Sequence, residues 1–555
     1  MNWSRYKNEG IIALVAALFF VPFLGGVHLF DWDEINFAEI SREMLLTEDY
    51  LRIYVDFQPF WEKPPLFFWL QALAMKAFGI GEFAARLPNA LCGVLTLVLL
   101  YRIGKHLYNE RFGWLWAGVY LGSLLPHLYF RSGIIDPFFN LFIFLGLYLF
   151  LLFYWKKEQF SSIQLPRNPW TYLFWAGFII GLGIITKGPV AYLIAGLTLF
   201  VYWIFQRLRF YVLPHHFLFF SFAASLVTLS WYGLETWKNG PWFISEFNKY
   251  QYRLFSTPDA GHRGFPGYHF VVLLIGCFPA SIFALRAFFR KDSTALSHQK
   301  DFKLWMSILF WVVLILFSIV KSKIVHYSSM CYFPLTFLAT LSLHELLEQK
   351  QSWNRWLSIG LWSIGGLFVV AFLLLPFVGN NARILLGLFD DPFAEANLHA
   401  EVHWSGWELL PGVLLFFVLF YAIQWMRGGQ LVKGIRLLLL GSACFVALGL
   451  YAAIGNIEGY SQRAAIEFFE SKADEDCYIR PMGYKSYGHL FYARKRPVTN
   501  EKSYDLDWLM SEEADKPVYF ITKIHLAHWL VDNPALREVG RKNGFVFFEK
   551  KSNPK

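Results

Sequence analysis

Apolar residues fall in long blocks separated by short polar links. The first block, residues 11–30, is long enough to cross the roughly 30 Å hydrocarbon layer of a bilayer as a helix. No small-residue cleavage site precedes Asp31, so the block reads as a retained transmembrane helix rather than a signal peptide. Further blocks start near Ala84, Gly113, Ile134, Trp170, Val190, His216, Tyr268, Leu304, Tyr327, Trp356, Leu409 and Leu437, which predicts about thirteen spans. Residues 66–78, LFFWLQALAMKAF, are broken by Gln71 and Lys76 and predict a helix lying at the membrane interface. From Asn456 the pattern changes. Short apolar strips at 477–482, 518–522 and 545–548 alternate with helix-like stretches such as 461–469. The chain therefore divides into a transmembrane part, 1–455, and a small soluble α/β domain, 456–555.

Composition explains why the blocks cannot all be core. With 555 residues, 56% hydrophobic and 20% aromatic, the chain holds more apolar surface than a soluble interior of this size could bury. Net charge is +9, yet no basic block or basic helix points to nucleic acid. The surplus instead fits topology. A cytoplasmic N-terminus puts Arg102/Lys105/Arg111, Lys156/Lys157/Arg167, Arg207/Arg209 and Arg427/Lys433/Arg436 inside. It leaves 31–83, a flexible loop at 235–267, 379–408 and the tail outside. Five scattered cysteines, with no CxxC, argue neither a disulfide framework nor a zinc site.

Charges that the topology rule discourages outside are the informative ones: Lys63, Arg86, Arg131, Lys187, Arg253, Arg263, Lys321 and Lys323. An outward basic cluster at headgroup depth suits a lipid phosphate, because the low local dielectric strengthens the pairing. Any one of them alone equally fits a side chain snorkelling from a helix end. After the first block, D-W-D-E-I-N-F-A-E packs Asp31, Asp33, Glu34 and Glu39 beside lipid, where carboxylates tend to mark function. Asp33 fits a helix cap just as well. Asp136-Pro137 has the same ambiguity, and spacing alone favours the cap.

In F-W-E-K-P-P the prolines extend the backbone, so Glu62 and Lys63 point to opposite sides. Glu62 could ligate a divalent ion while Lys63 reaches a phosphate. G-H-R-G sets His262, a metal-ligand candidate, beside Arg263, a phosphate-binding candidate. K-S-K-I-V-H-Y brings Lys321, Lys323 and the Tyr327 phenol to one membrane face, where Tyr327 alone would also fit an aromatic belt.

Taken in order, DE-I-N-FAEISREM, EKPPLFFWLQA, GEFAARLP, Asp136, ITKGPVA, the HRG loop and SKI-V-HY resemble the GT-C-fold polyprenyl-phosphate-sugar-dependent glycosyltransferases. The branch is that of the lipid A aminoarabinose transferases and the protein mannosyltransferase-like group. The resemblance covers roughly residues 10–350; beyond them only the layout agrees. It implies a polytopic α-helical GT-C catalytic domain that moves a sugar from a polyprenyl-phosphate donor to a lipid A, glycan or protein acceptor. The chemistry would lie on the periplasmic face of a bacterial inner membrane and invert the anomeric centre.

The resemblance makes Asp33 the carboxylate at the acceptor hydroxyl and Asp136 its acidic partner. Glu62 and His262 become ligands of a divalent metal ion, and Lys63 and Tyr327 contacts to the donor phosphate. Glu34, Arg263 and Lys321 complete the expected substrate-binding set. One position departs: the aminoarabinose branch carries arginine three residues after the catalytic Asp, and here Asn36 stands there. An O-antigen ligase or polymerase is the alternative, but it would take a diphosphate-linked glycan. A lipid-linked sugar transporter would place charges at mid-depth and show internal repeats, and the sequence shows neither.

Overall fold

The computed structural model describes residues 6–257, 264–289, 295–348 and 353–551. Helix α1 (Lys7–Phe20) leads into α2 (Asp33–Thr47), a hairpin of β1 (Tyr54–Val55) and β2 (Gln58–Pro59), and α3 (Leu66–Phe78). The bundle continues with α4 (Glu82–Leu107), α5 (Glu110–Leu121), α6 (Leu124–Tyr129), α7 (Asp136–Lys157), α8 (Pro169–Lys187), α9 (Val190–Phe205) and α10 (Pro214–Asn239). Then follow α11 (Trp242–Ser256), α12 (Tyr268–Gly276), α13 (Ala280–Phe288), α14 (Ser297–Ile319), a 3-10 turn Val325–Cys331 and α15 (Tyr332–Glu348). The last bundle elements are α16 (Arg355–Asn380), α17 (Pro392–Asn397), α18 (Leu410–Arg427) and α19 (Leu431–Gly459).

The chain is a multi-pass helical membrane protein, and each of the apolar blocks forms helix. The sequence predicts about thirteen spans. Among the described residues nine helices are long and apolar enough to cross a membrane, or ten if the α12–α13 pair, bent by 117°, counts as one. The blocks that fall short are cut by local chemistry. Residues 11–30 stay helical only to Phe20, before Pro22 and Gly25-Gly26 turn the chain, and the block from Gly113 breaks at Gly122-Ser123. The stretch 235–267 is also not simply a loop, because α11 fills its middle.

Burial separates the helices into two kinds. The windows of Val325–Glu348 and α7 are 89% and 78% buried, whereas those of α16 and α10 are 22% and 28% buried. Helices apolar on every face suit the middle of a bundle or the lipid boundary equally. Here α7 and α15 form the centre, and their ends carry the site.

In the tail, α20 (Arg463–Ser471) accompanies a four-stranded sheet of β3 (Tyr478–Met482), β4 (Val518–Lys523), β5 (Leu536–Lys542) and β6 (Phe545–Lys550), in the order β3-β4-β6-β5. Strands β3 and β4 run parallel and the other pairs antiparallel. The charged edge strand β5, LREVGRK, has no apolar strip for sequence reading to find. Ile466, Phe469, Phe491 and Phe547 of the tail share a core with Phe37, Phe67 and Phe68 of α2 and α3. The tail thus packs on the helices that carry the first acidic motif.

Candidate active site

Neither candidate aspartate is a helix cap. The caps of α2 and α7 are Trp32 and Ile135, and at neither end does a side chain accept a capping hydrogen bond. Both carboxylates are left for other partners. Pro137 at the first helical position starts α7 without needing one.

Glu34 departs from the expected role in substrate binding. Its Oε1 accepts from Arg86 Nε at 3.0 Å and the Gly133 N–H at 2.5 Å; its Oε2 accepts from Arg86 Nη2 at 2.8 Å and the Phe30 N–H at 2.9 Å. Arg86 also donates to the carbonyls of Leu24, Val27 and His28. Burial works against the Glu34 charge, but Arg86 and the two backbone N–H groups outweigh it and hold the carboxyl below its usual range. Although Glu34 borders the cavity described below, both oxygens are occupied, and it ties the starts of α2 and α4 to the turn before α7.

Asp136 is equally buried but less satisfied. Lys187 Nζ, at the end of α8, donates to its Oδ1 at 2.7 Å, and Ser329 Oγ lies 3.4 Å from the same atom. Its Oδ2 is buried without a hydrogen-bond partner among the described residues. Gly188 makes this turn possible: its φ is +100°, and a Cβ there would come within 2.3 Å of the Phe247 ring from α11. Asn140 donates to Ser329 Oγ at 2.8 Å, fastening the 3-10 turn that carries His326 and Tyr327.

One cavity of about 1010 Å³ takes in Asp33, Glu62, Lys63, Asp136, Lys187, Arg253, His326, Tyr327 and Lys485. That is as large as common small-ligand sites become, about 300–1,000 Å³. Its other wall is apolar, with Phe139, Val190, Leu193, Ile194, Leu316 and Phe317. Lys63 Nζ lies 4.9 Å from the centre of the Tyr250 ring and the Arg253 guanidinium 5.2 Å from it, so one phenol ring meets two cations. His326 Nε2 approaches Asp33 Oδ2 to 3.7 Å, while the Asp33 side chain remains 39% exposed.

The tail builds part of this wall. The Tyr487 N–H donates to Asp31 Oδ1 at 3.3 Å, Gln462 bonds both the Asp31 N–H and the Leu29 carbonyl, and the Leu29 N–H donates to the Tyr492 hydroxyl. Lys485 brings its ammonium to the cavity, 4.6 Å from the Trp32 ring.

The family described as dolichyl-phosphate-mannose-protein mannosyltransferase matches residues 62–231. The chain is 28% identical over 388 residues to the undecaprenyl phosphate-alpha-4-amino-4-deoxy-L-arabinose arabinosyl transferase of Edwardsiella ictaluri (strain 93-146), over 68% of this chain and 67% of that protein. To the transferase of the same name from Wigglesworthia glossinidia brevipalpis it is 26% identical over 340 residues, 60% of this chain and 58% of that one. The match thus spans about three fifths to two thirds of those relatives' own length. The crystal structure of ArnT from Cupriavidus metallidurans bound to undecaprenyl phosphate superposes with a TM-score of 0.77 at 18% identity, covering 100% of both chains. The chain has the GT-C fold and is similar in sequence to these transferases.

In this chain the outward cations divide by partner. Arg86 holds Glu34, Arg131 donates to the carbonyls of Phe19 and Pro22, and Lys323 donates to those of Phe317, Ser318 and Val320. Lys321 is exposed and does not border the cavity, which removes it from the expected phosphate-binding set. Arg263 and His262 lie outside the described residues. Glu62 borders the cavity, but among the described residues no three His, Cys, Asp or Glu side chains gather as a metal site.

His326, Tyr250 and Lys485 are cavity residues that the sequence reading left unassigned, and Lys187 was singled out only as an outward charge. His326 was visible in K-S-K-I-V-H-Y beside Tyr327, and Lys187 in I-T-K-G-P. Tyr250 and Lys485 carry no motif, and only the fold brings them in. Asn36, where the resemblance expects arginine, borders the cavity with a buried Oδ1 that has no partner among the described residues.

Proposed function

We propose that the glycosyltransferase takes its sugar from a polyprenyl-phosphate donor and works at the periplasmic face of a bacterial inner membrane, on a lipid A, glycan or protein acceptor. The observation that carries this reading is the make-up of the single cavity. It brings Lys63 and Tyr327 together with apolar side chains, which suits a phosphate with a hydrocarbon tail, and adds Asp33 and Asp136 to the same cavity. The buried acceptor atoms Asp136 Oδ2 and Asn36 Oδ1 call for hydrogen-bond donors, which a sugar supplies. The donor named for the arabinosyl transferases supports the lipid class. The far end of α7 carries Lys156 and Lys157, as the positive-inside rule expects of a cytoplasmic end.

Lys63 and Tyr327 hold the donor phosphate, and Asp33, open to the cavity, takes the proton of the acceptor hydroxyl. The acceptor oxygen attacks the anomeric carbon from the side opposite the phosphate. The C–O bond to phosphate breaks with its electron pair, and the configuration inverts. A phosphate monoester is already a weak base, so stabilising its growing charge matters more than protonating it. The Asp136 carboxylate, ion-paired with Lys187 at the same centre, favours positive charge developing on the sugar ring. A divalent ion belongs to the proposal only with Glu62 and His262 as its protein ligands, leaving the rest of its shell to phosphate and water.

The test is a reconstituted assay offering polyprenyl-monophosphate sugars and polyprenyl-diphosphate glycans separately, with lipid A or membrane glycans as acceptor. Release of polyprenyl monophosphate with the sugar on the acceptor is expected. Consumption of the diphosphate-linked glycan alone would transfer the assignment to the ligase class.

A further inference from the structure

Among the described residues, His326 is the one charged or chargeable group within ion-pair distance of the Asp33 carboxylate, with its Nε2 3.7 Å from Oδ2. The two side chains differ in access. Asp33 is 39% exposed to the cavity, whereas the His326 side chain is only 16% exposed. The imidazole is fixed from behind: it packs edge-on against Tyr327 with ring centres 5.4 Å apart, and its backbone carbonyl accepts from Ser329 Oγ at 2.5 Å. That serine is the one held by Asn140 and close to Asp136. The groups facing the ring are Asp33 of α2, Asp136 of α7, Lys187 at the end of α8, His269 of α12, Lys63 of the outer segment and the neighbouring Tyr327. The charge of Asp136 is answered by Lys187, and among the described residues that of Asp33 is approached only by the histidine.

We infer that His326 is a positioning residue for Asp33: it holds the carboxylate toward the acceptor hydroxyl and receives the proton that Asp33 takes from it. The inference rests on Asp33 being the base. In the transfer step the acceptor O–H bond breaks and its proton goes to Asp33 as the new C–O bond forms and phosphate departs. The Asp33 O–H bond then breaks and an N–H bond forms at His326 Nε2, and the imidazolium releases the proton to water once product has left. Closing 3.7 Å to hydrogen-bond length takes a shift of about 0.8 Å, or one bridging water. Imidazole suits the task because its unprotonated ring nitrogen accepts a proton and its protonated form returns it. When already protonated it cannot accept another, so turnover should decline on the acid side.

The experiment measures transfer by wild type, His326→Gln, His326→Ala and Asp33→Asn in the full-length reconstituted protein, with donor KM, kcat and the pH profile of kcat. For His326→Gln, kcat is expected to fall about 10²-fold with donor KM within about twofold, and the acid limb to flatten. Added imidazole should restore part of the His326→Ala rate. Unchanged kcat and acid limb in His326→Gln would overturn the inference, as would a loss seen in donor KM alone or failure of imidazole to help. Asp33→Asn separates the two levels: if it turns over normally, the base assignment itself fails, whatever His326 does.

Discussion

Glu34–Arg86 and Asp136–Lys187 are both buried ion pairs at the same end of the bundle, and their difference tells scaffold from site. Glu34 and Arg86 satisfy each other with two hydrogen bonds and spend the rest of their capacity on backbone. Asp136 and Lys187 share one hydrogen bond, leaving a buried carboxylate oxygen with no partner among the described residues and an ammonium bordering the cavity. A fully closed network fixes geometry, whereas an open one waits for a ligand. Burial does not distinguish them, since both carboxylates are almost completely covered.

Substitutions should drive the pairs apart. Arg86→Ala strands a buried carboxylate and should cost about 3–5 kcal/mol of stability, read from thermal unfolding in detergent, with activity lost alongside the fold. Asp136→Asn should keep the fold, because the amide still accepts from Lys187, while transfer falls about 10²–10³-fold. Equal damage to stability by both variants would erase the distinction. Lys63→Ala, in the cavity but in neither pair, should raise donor KM by the about 1.5–3 kcal/mol of a charged hydrogen bond, with little change in the unfolding midpoint. The smallest effect is in pH. Because the Glu34 pKa is depressed in the fold, its stabilisation is complete above its ordinary value of 4.5 and is lost as pH falls through the lower folded value. Stability of wild type should therefore decline on acidification below pH 4.5, and that part of the decline should be missing in Glu34→Gln.

Local features of the sequence carried far into the fold. Apolar block length and turn residues located the bundle, the helix at Leu66–Phe78 and three of the four tail strands. What needed the fold were partners distant in sequence. Glu34 looked like a site residue because Arg86 is 52 positions away, and no spacing rule links them. Helix α11 hid because residues such as Glu246, Asn248, Lys249 and Arg253 keep the segment from reading as an apolar block, although its Tyr250 and Arg253 border the cavity. Asp33, Glu62, Lys63, Asp136 and Tyr327 do meet in one cavity, which motif order anticipated and local propensity could not. His326 stood in a quoted motif without a role, because only its 3.7 Å approach to Asp33 supplies one.

The most direct test of the account is Asp33→Asn, assayed for binding of a polyprenyl-phosphate sugar and for its transfer to acceptor. The account predicts that the variant folds, binds the donor within about twofold of wild type, and loses at least about 10³-fold in turnover, as removal of a general base at the reacting hydroxyl should cause. Near-normal turnover in this variant would contradict it.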